Sequence, residues 1–259
     1  MIKLNNRIIE QDYFGDGTLK CTVPPPISVC AKILWCYDAD SELFTLAALV
    51  DYIKDKYPRM PIELTLPYIP HARQDREVSG RLFTLKSFAK IINSMGFDTV
   101  HVFDPHSDVS AALIDRIDVC LDAFLVGQYE KNGKKIPVMY PDAGAAKKYS
   151  VRGEEAIIGN KVRNEEGRIV SYELLNFVEG TKKVIIRDDI CSYGGTFVAA
   201  AKELRKRGVE EIILVVTHCE YNILKGEVFN YIDKVFTTDS ILTAEHPQIK
   251  IARSFRNEN

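Results

Sequence analysis

The sequence predicts an α/β protein built on mostly parallel, Rossmann-like sheets in two pseudo-repeated domains. Short β-rich apolar runs alternate with amphipathic helical patterns, the signature of parallel strands joined by crossover helices. The runs carry few charges, as strands do when helices cover both faces of a sheet. The two halves also share a pattern: Thr84, Ala89, Lys90, Gly96 and His106 recur as Thr196, Ala201, Lys202, Gly208 and His218, each 112 positions later. Each copy reads helix, glycine stop, strand, then a histidine at the strand's C-terminal end. The repeat predicts domains over 1–135 and 136–259, with ligands at the C-terminal ends of the strands.

Candidate strands are short and bounded by turn residues: 33–36, 62–66, 99–103, 138–140, 156–159, 184–187 and 212–217. Candidate helices, read from apolar residues on one face, cover 41–56, 84–95, 110–114, 144–150 and 195–207. Pro24-Pro25-Pro26 and the polar stretch 130–135 break these patterns and predict surface turns.

Composition narrows the function. The chain has 259 residues, is 46% apolar and 27% charged, and has a formal net charge of −2. Such a chain has enough apolar surface to fold and is not disordered. A near-neutral balance argues against coating nucleic acid, which needs a basic surplus. No apolar run approaches the ~18 residues that cross a bilayer, and the polar start Met-Ile-Lys-Leu-Asn-Asn-Arg lacks a signal peptide's apolar core. The expectation is a soluble, intracellular protein with no nucleic-acid and no membrane partner. Six cysteines without a Cys-x-x-Cys pair predict reduced, mostly buried thiols and no structural zinc.

The segment richest in chemistry is Val184-Ile-Ile-Arg-Asp-Asp-Ile-Cys-Ser-Tyr-Gly-Gly-Thr196, followed by an amphipathic helix. An apolar strand delivers Asp188 and Asp189 to the sheet edge, where two adjacent carboxylates repel unless a polyol or cation joins them. Gly194 and Gly195 let backbone N–H groups approach an anion, the helix start adds partial positive charge, and Thr196 adds a hydroxyl donor. One loop thus offers acceptors for sugar hydroxyls and donors for a phosphate. An ordinary strand–turn–helix with a capping threonine would have the same glycines; the acidic pair is what favours a ligand site.

Acidic-acidic-x-x-x-x-Gly-Gly-Thr after an apolar strand resembles the phosphoribosyl-diphosphate (PRPP) motif of type I phosphoribosyltransferases and PRPP synthetases. The first half favours the synthetases. Pro67-Tyr-Ile-Pro-His-Ala-Arg-Gln-Asp-Arg76 resembles their Pro-Tyr-x-x-Tyr-Ala-Arg-Gln-Asp-Arg segment, which the transferases lack. Asp104-Pro-His-Ser-Asp108 resembles their metal segment, Phe14-Gly-Asp-Gly17 their nucleotide loop, and Pro141-Asp-Ala-Gly144 their ribose loop. Asn160-Lys-Val-Arg163 falls where the family has its catalytic loop, and the segments occur in family order.

The resemblance implies the type I phosphoribosyltransferase fold in both domains and a pyrophosphokinase activity. The anomeric hydroxyl of a ribose attacks the β-phosphorus of Mg-ATP, and AMP leaves. Such a transfer needs positioning and charge neutralisation more than covalent help. Lys161 and Arg163 would stabilise the charge developing on the transferred group, from a polar loop over 159–167. Phe14, Asp16, Arg73, Gln74, Asp75 and His106 would bind ATP, with the Phe14 loop supplied to a neighbouring subunit of a homodimer or larger homo-oligomer. His106 and Asp142 would hold Mg²⁺ directly or through water. Asp188 and Asp189 would take the ribose 2- and 3-hydroxyls, Asp142 joining them at the ribose. Ser192, Tyr193, Gly194, Gly195 and Thr196 would form the 5-phosphate loop. His218, the repeat partner of His106, reads as a core histidine.

Three features depart from the family pattern. The phosphate loop has Ser192-Tyr193 where the family has Asp-Thr, the nucleotide loop has Thr18 where the family has Glu, and the C-terminal part of the pattern is short. Tyr193 puts a ring that can stack where a small donor is usual. Compact relatives, phage-encoded ones included, pyrophosphorylate ADP-ribose in a route that rebuilds NAD, and a host-cytoplasmic role would follow. The expectation is therefore ADP-ribose as acceptor, with ribose 5-phosphate, giving PRPP for nucleotide biosynthesis, as the alternative. A phosphoribosyltransferase or a non-catalytic regulator related to the synthetases are the other readings.

Overall fold

A computed structural model describes residues 1–25, 28–121, 136–150, 156–163 and 169–256. The chain divides into two units, Met1–Leu121 with Phe255–Asn259, and Asp122–Ser254. The junction expected near residue 135 lies outside the described residues.

The first unit runs β1 (Ile2–Leu4), β2 (Arg7–Ile8), β3 (Gln11–Tyr13), β4 (Leu19–Cys21), β5 (Ala31–Trp35), α1 (Glu42–Lys56), β6 (Ile62–Leu66), α2 (Thr84–Ser94), β7 (Thr99–Phe103), α3 (Asp108–Leu113) and β8 (Ile117–Cys120). Its six-stranded sheet has the order β2-β1-β5-β6-β7-β8, and β3 and β4 form a separate ribbon. β5 to β8 pair in parallel, whereas β1 joins β5 and β2 antiparallel. Leu46, Leu49, Val50 and Ile53 of α1 and Leu85, Phe88 and Ile92 of α2 share one core with Trp35, Leu64 and Val102 of the sheet. The Trp35 indole N–H donates to Glu42 Oε2 at 2.9 Å, and the Asp38 N–H donates to the same oxygen at 2.8 Å. That charge-assisted pair compensates a buried carboxylate and ties the end of β5 to the start of α1. β6 alternates fully and partly buried side chains, so this sheet buries one face more deeply than the other.

The second unit runs β9 (Val138–Tyr140), α4 (Ala143–Tyr149), β10 (Ile157–Arg163), β11 (Ile169–Leu175), β12 (Lys183–Cys191), α5 (Gly195–Lys206), β13 (Glu211–Cys219), β14 (Lys234–Thr238) and β15 (Ile249–Ala252). The sheet order is β11-β10-β9-β12-β13-β14-β15. All neighbours are parallel except the β10–β11 hairpin. Here the apolar runs are buried on both faces: Val184, Ile186, Ile212 and Leu214 join one core cluster, and Ile185, Ile213 and Val215 another. This is the burial expected of a doubly covered parallel sheet.

β6–α2–β7 and β12–α5–β13 are the two copies of the repeat, and Gly96 and Gly208 follow their helices at φ of +61° and +81°. The last positions diverge. His106 lies three residues beyond β7 and is exposed, whereas His218 lies inside the longer β13 and is buried, its Nδ1 2.9 Å from Ser240 Oγ. His218 is the core histidine the sequence suggests. All six cysteines are free thiols; Cys36, Cys191 and Cys219 are buried and Cys120 is exposed. Among the described residues no helix is long and apolar enough to cross a membrane.

One expectation is corrected. Residues 160–163 belong to strand β10 and not to a loop: Asn160 pairs with Glu173, Lys161 with Tyr172 and Val162 with Ser171. Antiparallel edge hairpins tolerate polar residues, so a polar run does not by itself signal a loop. The register shifts between Val162 and Arg163, and residues 164–168 lie outside the described residues. The hairpin crosses the sheet closely at Gly159. A Cβ there would sit 2.1 Å from Tyr172 Oη and 2.7 Å from Pro141 O. Gly159→Ala is expected to cost about 1–3 kcal/mol by overpacking, read as a lower chemical-denaturation midpoint with an unchanged slope.

Candidate active site

The sequence places two aspartates at the end of β12, and the parallel register with β13 holds them there: Asp188 lies beside Val216, and Ile190 beside His218. Asp188 is partly covered and Asp189 is buried. Asp188 Oδ1 accepts the Asp189 N–H at 2.9 Å. Burial, the neighbouring charge of Asp189 and the more remote charge of Asp142 push the Asp188 carboxyl well above its usual range. Asp142 caps α4, its Oδ1 accepting the Ala145 N–H at 3.0 Å. The acidic edge therefore comprises Asp142, Asp188 and Asp189, brought together from two loops of one sheet.

Tyr172 belongs to the same edge, and its sequence context gives no signal of that. From β11 its hydroxyl crosses over Gly159 and donates to Pro141 O at 3.0 Å. Burial and the charges of Asp142 and Asp188 raise its pKa, so it stays a donor. The contact ties the hairpin to the Pro141–Asp142 turn. Lys161 lies opposite Tyr172 in the register and Arg163 opposite Ile169.

The loop after β12 begins α5 through Gly194, which adopts φ +78°. A Cβ at Gly194 would meet Val228 Cγ2 at 2.1 Å, whereas at Gly195 it would meet nothing within 4 Å. Gly194 is thus required by both conformation and space, and Gly195 leaves the helix start open on its outer side. No side chain of the N-cap residue caps α5, so the first N–H groups of a 12-residue helix point toward any anion held there. Ser192 and Thr196 are partly buried, and the Tyr193 ring is 56% exposed. Ser192 Oγ donates to Glu220 Oε2, a neighbour that the motif alone does not indicate.

The first unit gathers a second set. Asp75 is buried and receives Arg76 through Nε at 2.8 Å and Nη2 at 3.3 Å. Arg76, with smaller help from Ser107 and His106, holds the Asp75 carboxyl below its usual range. Asp75 thus lies within electrostatic reach of the 104–108 segment while its hydrogen bonds go to Arg76. Arg73, Gln74 and His106 are exposed. The Gln74 carbonyl accepts the Leu85 N–H, and its side chain accepts the Thr84 hydroxyl at 3.2 Å, which anchors the segment to the start of α2. Phe14 tips the β3–β4 ribbon with its ring 56% exposed, so it is not a core aromatic. Asp16 Oδ1 accepts both the N–H and the hydroxyl of Thr18, which lower its pKa. Thr18 thus closes a turn where the resembling family carries a glutamate.

Comparison with known proteins agrees with this geometry. The Phosphoribosyl transferase domain family matches residues 134–249, the span of the acidic edge and the glycine loop. Ribose-phosphate pyrophosphokinase from Hyphomonas neptunium is 30% identical over 228 residues, covering 81% of this chain and 70% of that protein. The protein of the same name from Helicobacter hepaticus is 30% identical over 257 residues, covering 92% of this chain and 81% of its own. The chain belongs to the ribose-phosphate pyrophosphokinase family. A crystal structure of phosphoribosylpyrophosphate synthetase from Mycobacterium smegmatis matches with a TM-score of 0.77 at 23% identity, over 95% of this chain and 85% of that one. The family's two-domain α/β fold of type I phosphoribosyltransferase type is therefore this chain's fold, and its enzyme class is that of ATP-dependent diphosphotransferases.

Among the described residues no three His, Cys, Asp or Glu side chains form a group that could hold a metal ion by itself. Mg²⁺ rarely needs one, because it takes one or two carboxylates and completes its shell with water and substrate phosphate. The acidic edge suits that mode, since burial and then the neighbouring charges of Asp189 and Asp142 hold Asp188 above its usual range. The same strain sets a pH dependence. A raised carboxyl favours folding below its unfolded pKa, and that contribution is lost as pH rises through the folded value. Asp188→Asn, which mimics the protonated group, is expected to melt at higher temperature than the wild type at neutral pH without ligand. The gap should close as the pH falls below about 4; calorimetry across that range checks it.

Proposed function

We propose that the enzyme transfers the β,γ-diphosphate of Mg-ATP to the anomeric 1-hydroxyl of a ribose 5-phosphate group and releases AMP. The observation that carries this reading is one loop holding both the Asp188–Asp189 pair and an uncapped, glycine-opened helix start. Together these offer acceptors for the 2- and 3-hydroxyls and donors for the 5-phosphate of the same sugar. Family membership favours free ribose 5-phosphate as the acceptor. ADP-ribose contains the same group and is a second reading, supported by the exposed Tyr193 ring and the open side of Gly195.

The roles follow from position and charge. Arg73, Gln74 and His106, exposed around the anchored Asp75, would bind ATP, and Phe14 would stack on the adenine. An exposed aromatic at the tip of a ribbon suits binding across subunits, so a homodimer or larger homo-oligomer is part of the proposal. Asp142 on the second unit, and separately His106 on the first, are the candidate ligands for Mg²⁺, which when bound neutralises phosphate charge. The sugar oxygen forms a bond to the β-phosphorus, the bond from that phosphorus to the α,β-bridging oxygen breaks, and AMP leaves with that oxygen. Lys161 and Arg163, carried on β10 and tied by Tyr172 to the Asp142 turn, would stabilise the charge on the moving diphosphate.

The experiment is incubation with Mg-ATP and either ribose 5-phosphate or ADP-ribose, followed by phosphorus NMR. AMP and a 1-diphosphorylated sugar in equal amounts are expected. A phosphoribosyltransferase would release no AMP, and a non-catalytic regulator would bind ATP without turnover. Lys161→Ala is expected to lower kcat by roughly 10²–10³-fold with ATP affinity nearly unchanged. An equal loss in both would give Lys161 a binding role instead. Phe14→Ala is expected to raise the KM for ATP about tenfold, at a stacking contribution of ~1–1.5 kcal/mol.

A further inference from the structure

The turn that carries two of the residues assigned to ATP starts on a strained position. His71 adopts φ +63°, a left-handed conformation that is uncommon for residues with a Cβ and that glycine holds freely. Its carbonyl accepts the Gln74 N–H at 2.8 Å, which closes a turn over residues 71–74. Ala72 is buried within that turn, and Arg73 and Gln74 are exposed. The backbone angle at His71 therefore sets the direction in which Arg73 and Gln74 leave the core. Strain of this kind persists where the surroundings over-determine it.

The side chain shows what holds it. His71 Nε2 lies 2.9 Å from Asp40 Oδ1, and the Tyr37 hydroxyl donates to the same oxygen at 3.0 Å. Burial and then the bond to Asp40 push the Tyr37 pKa up to about 12, so the hydroxyl keeps its proton. The His71 ring also lies against Phe88 of α2, with centroids 5.7 Å apart. Tyr37 and Asp40 follow β5, His71 follows β6, and these strands are parallel neighbours. Tyr37, Asp40 and His71 thus bridge two loops at one sheet edge. The bridge is open to water, with the Asp40 side chain 61% exposed, so it adds little to global stability. Its effect is local: it favours one conformation of the turn over the others open to a histidine.

We infer that Asp40 and His71 are positioning residues for the nucleotide: their contact holds the 71–74 turn in the conformation that presents Arg73 and Gln74 together. The inference rests on the assignment of Arg73 and Gln74 to ATP and adds the device that aims them. It concerns binding and not the chemical step, because neither residue is placed at the reacting atoms.

The test measures the Kd for Mg-ATP by titration calorimetry, which does not depend on turnover, and kcat at saturating ATP. Asp40→Ala and His71→Gly each remove the contact. Both are expected to raise the Kd about fivefold with kcat within about twofold of the wild type. His71→Gly is expected to melt close to the wild type, because relief of the left-handed angle offsets the lost ring contacts. Asp40→Asn keeps an oxygen acceptor for both partners and is expected to restore the wild-type Kd. A Kd unchanged in either Asp40→Ala or His71→Gly overturns the inference, and so does Asp40→Asn binding no better than Asp40→Ala. A fall in melting temperature of His71→Gly that tracks its loss of affinity also overturns it, since a merely structural contact would give that. Arg73→Ala is the control for the underlying assignment. A Kd unchanged by Arg73→Ala sinks the ATP role of the turn, whereas a raised Kd there with unaffected Asp40 and His71 variants sinks the positioning alone.

Discussion

Burial at the end of β12, with the charge of Asp189 beside it, disfavours the ionised form of Asp188, and the acidic edge of the second unit is built on that constraint. β12 runs nine residues with both faces covered, and its last turn outward leaves Asp188 and Asp189 too dry to be comfortable as a pair of charges. Asp142 adds a third charge from the neighbouring β9–α4 turn. A sheet edge of this kind suits sugar hydroxyls or a divalent cation. Perturbed carboxyls of this kind cluster at binding sites.

The glycine loop supplies the opposite charge preference a few residues on. Gly194 turns the chain at a positive φ against Val228, and α5 starts with its first N–H groups uncapped. Anion-binding power there comes from backbone geometry, which is the same whatever the side chains are. The side chains then tune which anion suits. Glu220, which accepts the Ser192 hydroxyl, carries negative charge, and Tyr193 is exposed on the same loop. The hairpin that carries Lys161 is referenced to the same sheet edge through Tyr172 and the close crossing at Gly159.

In the first unit the equivalent anchor is a single buried acid. Asp75 is buried and bonded to Arg76, and the exposed Arg73 and Gln74 flank it, with Gln74 anchored to the start of α2. The neighbouring charges hold Asp75 ionised across the physiological range, the reverse of the situation at Asp188. One acid is held toward its ionised form and the other toward its neutral form.

Much of this was legible from residue order. The strands 62–66, 99–103 and 138–140 and all five described helices follow from apolar periodicity, because burial against a helix layer demands it. The acidic pair and Gly-Gly-Thr also announce themselves, since adjacent charges and paired glycines have few structural uses at a strand end. Edge strands such as β2 and β11 were not legible, because an edge needs only one hydrogen-bonded partner and little apolar burial. Residues 160–163 read as a polar loop and are a strand for that reason. Tyr172 and Glu220 were silent for a different one. Each meets the site from 31 or 28 residues away in the chain, through β10–β11 and β12–β13 pairing. Local pattern records what a residue needs from its own neighbours; a contact made by register between distant strands leaves no local mark, and becomes visible when the sheet is assembled.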